Sequence, residues 1–177
     1  MKKIHCTGVL LLVLTLAVTS AAMAGNMNKS GGGAVLTPEE TAGVLFVREE
    51  EKLARDVYLM LWAKWDLGVF ENIAASEQQH MDAVLALLEK YGLEDPVLDP
   101  GVFQNPELQA LYDELMEKGE ASIVDAVEVG VIIEKTDIED LTLLLDGTDK
   151  NDIVTVYTNL REGSYNHLEA FEGHLQE

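Results

Sequence analysis

From Val44 onward the apolar residues recur every three or four positions, the spacing of one face of an α-helix, in four long blocks. The first block carries Val44, Val47, Glu51, Ala54, Tyr58, Leu61 and Trp65, and the second Ile73, Glu77, His80, Val84, Leu87 and Tyr91. The third carries Ile123, Val127, Gly130, Glu134 and Leu141, and the fourth Ile153, Val156, Leu160, Ser164, His167, Phe171 and His174. Two-residue alternation is nearly absent, so the chain reads as all-α. Thr37-Pro38-Glu39-Glu40 is a helix start, with Thr37 as cap and Glu40 completing a capping box, and the first helix should run to about Asp66. A second, about Phe70 to Tyr91, ends at Gly92. Pro96, Pro100, Gly101 and Pro106 forbid one long helix next, but Asn105-Pro106-Glu107 starts a short amphipathic one closed by Gly119. The third long helix begins near Ser122 and either continues through Thr136-Asp137 or restarts there. Gly147-Thr148-Asp149 breaks the chain before a fourth, from about Lys150 almost to the end. Two long helices, a crossover holding a minor helix, and two more predict a four-helix bundle over residues 36–177.

The stripes are interrupted in a pattern. Three of the four long helices place one acid among apolar positions, Glu51, Glu77 and Glu134, and two place a histidine there, His80 and His167. Glu49 and Glu50 fall off the first stripe and read as solvated. A buried carboxylate is costly unless paired, protonated or bound to metal. Glu77 and His80, three apart, share one helix face, the Glu-x-x-His arrangement of carboxylate-bridged di-metal bundles. Oxygen donors with a few imidazoles suit iron or manganese, and zinc less specifically. The alternative is an ion-paired bundle, with Glu51 and Glu134 held by Arg55, Arg161 or a lysine. His174, near the end, reads as a surface histidine.

The segment from Glu51 to Leu59, with Ala54 three and Tyr58 seven positions after Glu51, resembles the first metal helix of ferritins and rubrerythrins. Glu77 and His80 look like that superfamily's second-helix motif, Glu134 like its third-helix carboxylate and His167 like its fourth-helix histidine. The resemblance covers roughly residues 36–175 and is similar, more narrowly, to a prokaryotic ferritin-like family of unknown function. It implies a ferritin-like bundle, two iron ions (or manganese) on Glu51, Glu77, His80, Glu134 and His167, and Tyr58 hydrogen-bonded to a ligand. One departure stands out. Where rubrerythrins have a second Glu-x-x-His this chain has Ser164-Tyr165-Asn166-His167, so a carboxylate is missing and the second metal position should be the weaker. Glu128, Asp137 and Glu162 are possible substitutes. No cysteine pairs follow the bundle, so redox chemistry would need an external electron donor, or a disproportionation needing none.

Composition adds an expected compartment. Met-Lys-Lys, an apolar run from Gly8 to Val18 and Ala22-Met23-Ala24 read as a signal peptide over 1–24, and the glycine-rich 25–35 as a disordered tether. Cleavage would remove Cys6, the single cysteine, and with Lys2 and Lys3 gone leave 10 basic against 32 acidic residues, a formal −22. Such a surface repels nucleic acid and anionic membranes and attracts cations. The expectation is a periplasmic or secreted metal-binding protein acting on O2 or peroxide, with a homodimer as one candidate assembly and ferroxidase or peroxide-detoxifying chemistry. Its alternative is a non-enzymatic bundle that buffers metal or serves as an interaction module.

Overall fold

The computed structural model describes residues 35–176, so the expected leader and all but the last residue of the expected tether lie outside the described residues. Within them the chain is all-α, with five helices and no strand. Helix α1 spans Pro38–Trp65 and α2 Gly68–Tyr91; α3 spans Pro106–Gly119, α4 Ile123–Asp146 and α5 Asn151–His174. The local signals act as their chemistry dictates. Thr37 Oγ1 accepts from the Glu40 amide while Glu40 reaches back to the Thr37 amide, and Gly92 closes α2 at φ 68°. Asn105 caps α3 and Ser122 caps α4. Helix α4 runs unbroken through Asp137, with the Thr136 hydroxyl turned back onto the Ile132 carbonyl.

Some expectations are corrected by packing. Gly119 closes α3 as expected, and it also has a packing role: a Cβ there would lie 2.8 Å from Leu61, so the glycine serves close helix approach. Ile123 is exposed, and on α5 Tyr157 is fully buried where Val156 was expected. The largest correction is on α1. Glu49 and Glu50 are buried, as is every residue from Val47 to Ala54, because α1 is covered on several sides.

Helix α1 packs on α2 and α4 on α5, the two pairs meet through α2–α5 and α1–α4, and α3 lies against α1 and α4. The segment between α2 and α3 closes the remaining side of α1 with polar ties. Arg48 makes a two-point contact with Asp95 (3.0 and 2.8 Å), Glu49 accepts from the amides of Gln104 and Asn105, and Asp56 accepts from the Gly101 amide. Lys52, wholly buried, donates to Asp56 at 2.6 Å and sits 4.1 Å over the Phe103 ring.

The apolar core is in two parts. One gathers Val57, Tyr58, Phe70, Ile133 and Phe171, and the other Val47, Val84, Leu141, Ile153 and Leu160. In each long helix the inward polar residues lie between those two sets in sequence. The four helices therefore present one polar layer between two dry ones.

Candidate metal centre

That layer collects all five expected residues. Glu51 comes from α1, Glu77 and His80 from α2, Glu134 from α4 and His167 from α5, with Glu51, Glu77 and Glu134 almost completely buried. Glu77 occupies the middle. Its Oε2 lies 2.7 Å from His80 Nδ1 and its Oε1 2.8 Å from His167 Nδ1, so one carboxylate addresses both imidazoles with separate oxygens. His80 Nδ1 is also 3.1 Å from Glu51, and His167 Nδ1 is 3.4 Å from Glu134. Two triads result, Glu51–Glu77–His80 and Glu77–Glu134–His167, each with ligand-type atoms within 4.8 Å of one another. The two imidazoles stack with centroids 5.4 Å apart.

Neighbours hold these groups in place. The Tyr58 hydroxyl donates to Glu134 Oε1 at 2.6 Å, and His167 Nε2 meets the Ser76 hydroxyl at 2.9 Å, which turns Nδ1 toward the carboxylates. Gly163 leaves room for His80: a Cβ there would stand 2.6 Å from its Nε2. Gly130 does the same for Phe171, whose ring packs with Tyr58 and Phe70 as an apolar lid on one side of the layer.

No lysine or arginine among the described residues forms a salt bridge with Glu51, Glu77 or Glu134. Arg55 is engaged by Asp56 and Gln78, and Arg161 contacts Thr142. The arginine or lysine partners of the ion-pair alternative are thus absent among the described residues, and the groups that face these acids are the two imidazoles. What remains is strong mutual perturbation. Burial and the nearby Asp137 push Glu51 well above the usual carboxylate range, although the His80 contact opposes them. Burial raises Glu134 to about 7 and Asp137 to about 8. Glu77 goes the other way: burial acts to raise it, but the His167 and His80 imidazoles against its two oxygens outweigh that and hold it at about 2. Burial lowers the histidines, yet their carboxylate partners prevail, lifting His80 to about 11 and His167 to about 9.

A cavity of about 10 Å³, room for roughly one water-sized sphere, opens among Glu50, Glu51, Glu77, Glu134 and Asp137. Three buried atoms of its lining residues have no hydrogen-bond partner, Glu50 Oε2, Glu51 Oε1 and Asp137 Oδ1, and elsewhere in the layer His167 Nδ1 lies close to Glu77 but is not aligned with it. Orphaned buried donors and acceptors are rare and each costs about 1–3 kcal/mol. Unpartnered carboxylate oxygens with two imidazoles in reach are the donor set of a hard or borderline divalent cation, which would displace the imidazole protons as it binds, so the residues fit a metal. Sequence periodicity missed Glu50, Ser76 and Gly163. Only Gly163 left a trace, as a glycine inside a helix with no turn to explain it. Of the possible substitutes for the missing carboxylate, Asp137 is in the layer. Glu128 is tied to Lys118 at the surface and Glu162 is exposed. His174 is exposed, as expected.

Residues 40–177 match the family model described as an uncharacterized protein domain, DUF2202. The chain is 55% identical to uncharacterized protein MJ0754 of Methanocaldococcus jannaschii over 138 residues, 77% of this chain and 75% of that one. A crystal structure of hypothetical protein MJ0754 superposes with a TM-score of 0.78 at 51% identity, covering 86% of each chain. A crystal structure of a DUF305 fragment from Deinococcus radiodurans superposes with a TM-score of 0.61 at 15% identity, over 80% of this chain and 98% of that one, a likeness of fold alone.

Proposed function

The chain belongs to the DUF2202 family, whose description assigns no activity, and from that premise we propose that it is an exported, ferritin-like metal-binding protein. In this reading α1, α2, α4 and α5 form the four-helix bundle and α3 lies in the crossover. Glu51, Glu77, His80, Glu134 and His167 would hold two iron ions, with manganese the alternative. The observation that carries it is Glu77, wholly inside the protein, with one oxygen on each of two imidazoles and no arginine or lysine to balance the acids around it. Iron or manganese held there would supply one-electron redox chemistry toward O2 or peroxide, drawing on an external donor or on peroxide disproportionation.

The chain's own residues supply positioning. Tyr58 fixes Glu134 by donating a hydrogen bond to it, Ser76 fixes His167, and the rings of Tyr58, Phe70 and Phe171 keep water from one side. The leader-like residues 1–24 are the basis for export, and no helix of the described residues is long and apolar enough to cross a membrane.

The test is anaerobic loading with ferrous iron followed by oxygen or peroxide. An oxo-ferric ultraviolet band should form much faster than with iron in buffer, and Glu77→Gln should abolish both uptake and band. Binding without acceleration would leave a metal buffer, and no binding would defeat the proposal.

A further inference from the structure

We propose that Asp137 is a ligand of this centre, supplying from α4 the carboxylate that the sequence lacks at position 164 of α5. The inference rests on the metal reading above and names a donor outside that set. Asp137 is nine-tenths buried, lines the same cavity as Glu51, Glu77 and Glu134, and leaves Oδ1 without any hydrogen-bond partner. Its other oxygen is held: Ser164 Oγ contacts Asp137 Oδ2 and also bonds to the Leu160 carbonyl at 2.9 Å. Ser164 is thus a positioning residue. It anchors one carboxylate oxygen and leaves the second facing the cavity, as metal ligands are commonly held by neighbours that do not themselves touch the ion.

Charge supports the same assignment. Glu51, Glu77 and Glu134 carry three negative charges, whereas two divalent cations carry four positive. An uncompensated charge in a layer so deeply buried is expensive, and a fourth carboxylate removes it. The other available acid, Glu50, is less well placed. The acids acting most on it are Asp137, Asp140 and Glu51, and Asp140 hydrogen-bonds to it from the partly exposed side. Asp137 instead feels Glu134, Glu77 and His80, the groups of both triads. A glutamate introduced at 164 would enter space that Asp137 and Ser164 already share, so Ser164→Glu alone should not strengthen binding.

Anaerobic titration with Mn(II), read as metal retained per chain and as affinity for each step, tests the assignment. Wild type should take two ions. Asp137→Asn should keep one and weaken the other by at least about a hundredfold, since even indirect partners of ligands are worth about ten- to a hundredfold. Asp137→Ala combined with Ser164→Glu should regain the second ion, because the carboxylate then returns from the neighbouring helix. Two ions in Asp137→Asn at wild-type affinity would overturn the inference alone, whereas a wild type that takes none would overturn the metal reading with it. Should Asp137→Asn fail to fold, Ser164→Ala decides: it keeps every charge, and an unchanged second affinity would overturn the assignment.

Discussion

Helix α1 buries charged residues on two sides, and the two sides solve the problem differently. Toward the connecting segment stand Arg48, Lys52 and Asp56, at most 5% exposed, each with an opposite charge or amide in contact. Toward the interior stand Glu50 and Glu51, as deeply buried, each with an oxygen that nothing touches. The first side is complete as a protein structure. The second keeps unpartnered oxygens of the kind the proposed cation would take, and that contrast distinguishes the two sides better than burial or charge alone.

Acidity should separate the two sides most strongly. In metal-free protein Glu134 and Asp137 are raised to about 7 and 8 and His167 to about 9. A raised group stabilises the fold below its unfolded value, and that stabilisation is lost as pH climbs through the folded value. Glu77, lowered to about 2, stabilises above its unfolded value of 4.5 and loses this as pH falls. The apo melting temperature should therefore rise from pH 9 to about 5.5 and fall again below about 4.5. A steady fall from neutral pH to 5.5, seen by calorimetry, would break the comparison. Saturating Mn(II) should flatten the alkaline arm, because metal holds the deprotonated ligands.

Next in size is the clamp. Asp56→Ala leaves Lys52 buried without its carboxylate and should cost about 3–5 kcal/mol in denaturant unfolding, while folded protein still binds metal with wild-type stoichiometry. Smallest is Glu50→Gln, of opposite sign: relieving a buried carboxyl whose Oε2 has no partner should stabilise apo protein by about 1–3 kcal/mol. If Glu50→Gln destabilises as Asp56→Ala does, the two sides of α1 are not distinct.

Much of this was legible in residue order because it depends on local physics. Helix starts at Thr37, Asn105 and Ser122 rest on side-chain oxygens meeting amides two or three residues on. The five inward residues were legible because helical pitch sets which positions share a face. Glu50 was not, since one stripe per helix assumes one buried face, and α1 is also covered by α3, α4 and the connecting segment. The same limit hid Ser76, which matters only through a histidine 91 positions away.

Ser164 shows where the division falls. Its identity and its place on the inward face of α5 follow from the sequence. That Asp137 stands across the α4–α5 contact, one oxygen held by that serine and the other facing Glu51 and Glu77 across a cavity, was decided only when the helices packed. Pitch determines which way a side chain points along its own helix, but the register between two helices is set by the summed packing of both, and no local interaction encodes it.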